Sequence, residues 1–286
     1  MQKNLEKKGL KKNTLADYLV DADSDDNDDY DDENDDDDVF DKEKAGAGGA
    51  SKENASKLID LELVRLIKFC NDLQKNNKHK DEYQEDLMMK ALEIGKKTKE
   101  KTLILDMDET MIATKFEGKD TKNFKGDFDF EFLGKTISVS FRPYLFETLE
   151  KLSQFYEIIA FTAGVQTYAD QILDRIDPQK KIFKKRLYRD SCIKCEEFYI
   201  KDLDVIMDRQ KENLIIVDNS ILSFAFDLAN GVPINSYMGD DPQDKDLLYL
   251  YSFCEQAFYD SDVRKSCDEN FKLRYILQSI TGKADV

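Results

Sequence analysis

The sequence predicts an α/β fold: a parallel sheet with helices on both faces, a small insertion after the first strand, no large cap domain, and a helical N-terminal extension. Three observations lead there. Apolar runs of strand length alternate with stretches of helical spacing. Three of those runs stop at clusters of polar residues. Only about 35 residues separate the first cluster, ending at Thr110, from the next helical stretch near Tyr144. At 286 residues and 41% apolar content, the chain can hold one domain of about 150 to 200 residues with appendages.

Charge divides the chain. Of the net −17, fourteen acidic residues fall between Asp21 and Asp41 with no basic residue among them, so the remainder carries only about −3. Two lysine pairs precede this run and Ala45–Ala50, with three glycines, follows it. Such a composition cannot bury enough apolar surface to offset chain entropy, so residues 1–52 are expected to be disordered. From Ala55 the pattern changes. Ile59, Leu63, Leu66, Cys70 and Leu73 recur at spacings of four and three, one stripe of a helix. A second helical stretch carries Leu87, Met88, Ala91, Leu92 and Ile94, making residues 53–99 a helical extension. It reads as a cover for an edge of the domain that follows; the alternative is a coiled-coil dimer seam, although the repeat spans only about two heptads.

Residues 100–286 carry the alternation. Thr102–Met107, Tyr156–Thr162 and Leu214–Val217 read as buried strands and Val232–Ile234 as a short later one, with helical spacing over Tyr144–Phe155 and Val165–Ile176. Ligands bind such sheets beyond the carboxyl ends of the strands. There the chain places Asp106–Thr110, Thr162, and Asp218 with Asn219.

Asp106 and Asp108 follow Leu103-Ile104-Leu105, and strand alternation points the two carboxylates the same way. Carboxylates so close repel unless a cation or a proton is shared, a reason to expect Mg²⁺. One aspartate can attack phosphorus, and the second suits general acid and base work. The pair alone would equally fit a strand-to-loop turn with solvated carboxylates. The further polar residues at later strand ends favour chemistry.

The run Leu103-Ile104-Leu105-Asp106-Met107-Asp108-Glu109-Thr110 resembles the first motif of the haloacid dehalogenase superfamily, in the form used by the small phosphatases of the RNA polymerase II carboxy-terminal domain. The resemblance extends from about Lys101 to Phe258 through Phe141-Arg142-Pro143, Phe161-Thr162-Ala163-Gly164, Leu187–Cys192, Tyr199–Leu203 and Ile216–Ser220. It implies a Rossmann-like sheet and a magnesium-dependent protein serine/threonine phosphatase. Asp106 would be the nucleophile and Asp108 the general acid/base. Mg²⁺ would be held by the Asp106 carboxylate, the Asp108 main-chain carbonyl and Asn219. Thr162, Ala163 and Lys201 would bind the phosphoryl group, and Asp218 would orient Lys201, with metal ligation as its lesser role. Phe116, Tyr168 and Arg189 match positions lining the phosphopeptide groove, with core packing as the alternative for the two aromatics. Phe116–Ser140 departs from the pattern, and Met111-Ile112-Ala113 stands where Leu-Val-His is more usual.

Two other functions compete: a phosphopeptide-binding module, which in such relatives goes with altered aspartates and a membrane anchor, and a small-molecule phosphatase, which the lack of a large cap disfavours. No apolar run approaches the roughly 18 residues that cross a bilayer, and Met1–Val20 lacks a signal peptide's apolar stretch, so an intracellular soluble protein of nucleus or cytoplasm is expected. Cys192 and Cys195 form one CxxC, but no second Cys pair or His pair completes a zinc site. Lys180–Arg186 is a basic stretch on which the acidic run could fold back and autoinhibit; a solvated tail is the alternative. Nucleic acid is an unlikely partner for so acidic a chain.

Overall fold

A computed structural model describes residues 52–116 and 124–282, with 52–60 as backbone alone. The expected disorder and autoinhibition of the acidic segment therefore lie outside the described residues, Lys52 apart.

The central sheet has five parallel strands in the order β10 (Gly231–Pro233), β9 (Leu214–Asp218), β1 (Lys101–Leu105), β5 (Tyr156–Phe161) and β6 (Phe183–Leu187). Its central strands are continuous apolar runs because both faces are covered. Leu103, Leu105, Ile158, Ala160, Ile215 and Val217 pack with α3 (Leu145–Leu152), α4 (Gln166–Ile176), α5 (Asp246–Ala257) and α6 (Val263–Phe271). The alternate residues Ile104, Ile159, Phe161, Leu214 and Ile216 share a second core with Ile67, Cys70 and Leu73 of α1 (Lys52–Asn77) and with Leu273 of α7 (Leu273–Thr281). The long helix thus packs Ile67, Cys70 and Leu73 against a face of the sheet, rather than covering an edge as expected, because the central strands leave that face apolar. After it, α2 (Asp81–Lys90) stops earlier than the spacing predicts. Met88 and Met89 are exposed, and Leu92 is in extended backbone, its amide donating to the Val205 carbonyl at 2.8 Å.

The insertion after β1 is a three-stranded antiparallel sheet, β2 (Ile112–Phe116), β4 (Lys135–Phe141) and β3 (Phe128–Phe132), in that order. Leu133 (φ 50°) and Gly134 (φ 70°) form the β3–β4 turn, whose two left-handed residues match the twist of the hairpin. The stretch Lys180–Arg186, expected as a basic patch, contains most of the edge strand β6. Lys184 and Lys185 donate to the Lys96 and Glu93 carbonyls, and Arg186 pairs with Asp170 and Asp174. Charged side chains on an edge strand discourage pairing with another sheet. A small hairpin, β7 (Ile193–Cys195) with β8 (Phe198–Ile200), follows. All five cysteines are buried and free. Among the described residues no helix is long and apolar enough to cross a membrane.

Candidate active site

The ladder of β1 runs one residue past the strand: the Asp106 amide donates to the Val217 carbonyl of β9 at 3.0 Å. The chain then reverses. Glu109 takes left-handed backbone (φ 59°), its amide bonds the Ile112 carbonyl at 2.7 Å, and the Met111 and Ile112 amides return to the Met107 carbonyl. This turn keeps Asp106 and Asp108 at the carboxyl edge of the sheet, both buried. Arg142, from the Phe-Arg-Pro motif, holds the turn from behind. Its Nη1 donates to the Thr110 carbonyl, and its remaining nitrogens grip Asp244 and Asp246.

Lys201 follows β8, and its side chain reaches both carboxylates that end neighbouring strands. Its Nζ bonds Asp106 Oδ1 and, at 2.7 Å, Asp218 Oδ2. The second oxygen of Asp218 accepts the Ser220 amide at 2.8 Å. Burial alone would depress the Lys201 ammonium, but the two carboxylates reverse this and hold it well above its usual value. Asp106 is pushed upward by burial and by the nearby Asp218, against the pull of Lys201. An ammonium fixed between two strand-end carboxylates can neutralise a bound anion without reorganising.

Asp108 stands apart from this ion pair. Burial raises its carboxyl to about 6, a value suited to proton exchange near neutral pH. The Tyr168 hydroxyl, which Oδ1 accepts at 2.6 Å, the Lys201 charge and the Thr162 hydroxyl offset part of that burial, whereas Oδ2 is buried and forms no well-aligned hydrogen bond. Tyr168, expected either in the peptide groove or in the core, is wholly buried with its hydroxyl on Asp108. It sits on the inner face of α4, beneath the aromatics of β3. Arg189 is likewise turned inward. Its Nε donates to the Ala163 carbonyl at 2.7 Å and its amide to the Gly164 carbonyl at 3.0 Å, so it braces the loop after β5. That loop carries Thr162, whose Oγ1 accepts the Gly164 amide at 2.9 Å. Phe116 is half-buried at the end of β2, packed against the core.

Asn219 is fixed by its amide nitrogen, which donates to Glu109 Oε2 at 2.9 Å and to Ser236 Oγ at 3.0 Å. Those bonds leave its Oδ1 as the side-chain acceptor. Glu109, which sequence reasoning passed over, thereby ties the first motif to the end of β9; its own carbonyl accepts the Tyr237 amide at 2.7 Å. Among the described residues no three His, Cys, Asp or Glu side chains gather as a metal cluster. A carboxylate, a main-chain carbonyl and an amide oxygen need none, and this all-oxygen set fits Mg²⁺, which keeps several waters. The Asp108 carbonyl accepts no main-chain hydrogen bond among the described residues, which leaves it available to a cation.

The family described as NLI interacting factor-like phosphatase matches residues 101–264. CTD small phosphatase-like protein 2 of Dictyostelium discoideum is 38% identical over 176 residues, covering 62% of this chain and 30% of that protein. CTD small phosphatase-like protein 3 of Caenorhabditis elegans is 34% identical over 194 residues, 66% of this chain and 67% of the other. Nuclear envelope morphology protein 1 of Schizosaccharomyces pombe is 36% identical over 174 residues, 60% of this chain and 36% of the other. The matched region thus spans about a third of the first and third of these relatives and two thirds of the second.

Proposed function

The chain belongs to the NLI interacting factor-like phosphatase family, and on that premise we propose that it is a magnesium-dependent phosphoprotein phosphatase working through an aspartyl phosphate. Its substrate is phosphoserine in a flexible segment, such as the carboxy-terminal domain of RNA polymerase II, which would make it a nuclear enzyme. The observation that carries this reading is the division of labour between two aspartates two residues apart. Asp106 is ion-paired to a buried lysine, and Asp108 keeps a buried oxygen without a well-aligned hydrogen bond.

In the first step an Asp106 oxygen forms a bond to phosphorus as the bond from phosphorus to the seryl oxygen breaks, and Asp108 Oδ2 passes its proton to that oxygen. Lys201 neutralises the phosphoryl oxygens, and the Thr162 hydroxyl and the Ala163 amide supply hydrogen bonds. Charge on the equatorial oxygens makes such stabilisation the protein's main contribution. In the second step water attacks the aspartyl phosphate, Asp108 takes its proton, and inorganic phosphate leaves Asp106 free. The Asp106 carboxylate, the Asp108 carbonyl and Asn219 Oδ1 would hold Mg²⁺, which would supply further charge neutralisation at the phosphoryl group. Among its described residues the insertion is a small sheet rather than a lid domain, which favours a protein substrate.

The test is hydrolysis of p-nitrophenyl phosphate and of a phosphoserine peptide in Mg²⁺ buffer. Asp106→Asn is expected to abolish both, and EDTA to stop the wild-type protein reversibly. Retained turnover in the variant would rule out the nucleophile, and indifference to EDTA would rule out the metal.

A further inference from the structure

Asp108 is bonded unequally through its two oxygens. The Tyr168 hydroxyl donates to Oδ1 at 2.6 Å and the Thr162 hydroxyl also neighbours the carboxyl, whereas Oδ2 is buried and forms no well-aligned hydrogen bond. In a protonated carboxyl one oxygen carries the proton, and the other, carbonyl-like, is the better acceptor. An O–H donor fixed on Oδ1 therefore favours the proton on Oδ2. We infer that Tyr168 is a positioning residue for the general acid: its hydroxyl holds Asp108 by Oδ1 and so assigns Oδ2 to proton transfer with the leaving oxygen. This inference rests on the phosphatase reading above and adds a residue to its mechanism.

The surroundings of Tyr168 fit that task. Its ring is fully buried, 6.0 Å from the ring of Phe130 and 5.6 Å from that of Phe132, the second at an interplanar angle of 63°. Both phenylalanines come from β3, so the insertion supplies the packing that fixes the phenol. On the opposite side Gly164 allows close approach. A Cβ there would lie 3.2 Å from Tyr168 Cδ1 and 3.2 Å from Thr162 Oγ1, crowding the acid's partner and the proposed phosphoryl ligand together. This packing holds the phenol oxygen beside Asp108, with the Thr114 hydroxyl as its other side-chain neighbour. The alternative is that Tyr168 merely satisfies its buried hydroxyl on the nearest carboxylate, with no part in proton transfer.

The two roles separate by leaving group. A seryl alkoxide must be protonated as it departs, whereas 2,4-dinitrophenolate leaves unaided. Because kcat/KM covers only steps through the first irreversible one, it reads proton donation even when breakdown of the aspartyl phosphate limits kcat. For Tyr168→Phe we expect kcat/KM on a phosphoserine peptide to fall by about ten- to a hundredfold, the worth of a hydrogen bond to a charged group. On 2,4-dinitrophenyl phosphate the fall should be at least about tenfold smaller, and Asp108→Asn should show the same contrast more strongly. Equal losses on the two esters, or no loss on either, overturn the role of Tyr168 while leaving the phosphatase reading intact. A wild-type protein that hydrolyses neither ester overturns both. If Tyr168→Phe fails to fold, Phe132→Leu, which loosens the ring from a half-buried position, carries the same test: selective loss on the peptide supports the assignment, and equal loss or none refutes it.

Discussion

Lys201→Met removes one ammonium and keeps most of the aliphatic stem, so its effects report on charge. In the native protein Lys201 is 1% exposed and paired to Asp106 and Asp218, which are 6% and 1% exposed. Without it two buried carboxylates face each other with no cation. Breaking a buried pair by removing one partner costs about 3–5 kcal/mol. The Asp106 carboxyl, already pushed up by burial and by the nearby Asp218, then loses the Lys201 pull that lowers it and rises further above the unfolded value of about 3.9. The sign follows. A carboxyl whose folded value is raised takes up protons more readily in the folded state, so the variant's deficit is full at pH 8 and shrinks as pH falls through the raised Asp106 value toward about 4. Urea unfolding in EDTA at pH 8 and pH 5.5 checks this, with the wild type alongside. At pH 8 the variant should lose about 3–5 kcal/mol, or roughly 6–20 °C in Tm. Added Mg²⁺ should return part of the loss at pH 8, because a dication offsets the same repulsion. A deficit under about 1 kcal/mol, well short of the cost of an uncompensated buried charge, or one independent of pH, would refute the argument.

Three further outcomes follow from buried groups elsewhere. Tyr83 of α2 bonds the fully buried Asp202 beside Lys201, so Tyr83→Phe should cost about 1–3 kcal/mol in unfolding and lower kcat; unchanged values in both would show that the helical extension does not brace that loop. Burial pushes Cys70, Cys192 and Cys267 up to about 12 and Cys195 to about 11, so Ellman's reagent at pH 8 should titrate fewer than one thiol per folded chain and all five in guanidinium. Glu157 is buried, yet the Thr98 amide and hydroxyl and the Arg209 guanidinium together outweigh burial and hold it below its ordinary range. Its stabilisation is therefore present above the unfolded value of about 4.3 and lost as pH falls through the folded one. Arg209→Ala should destabilise by about 3–5 kcal/mol at pH 7 and by less at pH 4, and an equal loss at both would refute the pairing.

The fold was legible wherever burial wrote itself into composition. β1, β5 and β9 are covered on both faces and so appear as uninterrupted apolar runs. β6 was missed for the opposite reason. As an edge strand it alternates only Phe183 and Leu187 with lysines and an arginine whose polar ends find carbonyls and aspartates, and in sequence those cations read as a surface patch. The insertion did carry a signal, the period-two run Phe128-Asp129-Phe130-Glu131-Phe132. Its turn hid it, because Leu133-Gly134 takes the left-handed pair usually marked by Asn-Gly.

The site shows a sharper boundary. Strand ends in a parallel sheet converge by topology, so Asp106, Thr162 and Asp218 could be brought together from sequence order alone. A side chain that reaches the site from a helix face cannot, because helical spacing says that Tyr168 is buried but not what its hydroxyl meets. Arg142 and Arg189 illustrate the same limit. Arg142 stands in sequence only within a motif and Arg189 as a groove position, yet the Arg142 guanidinium donates to the Thr110 carbonyl, Asp244 and Asp246, and Arg189 Nε donates inward to the Ala163 carbonyl. Their charge therefore shapes the loops that present Asp108 and Thr162. On the aspartate side of the site the ammonium held against Asp106, the proposed nucleophile, is that of Lys201, which is why its removal is expected to be felt in stability and in catalysis together.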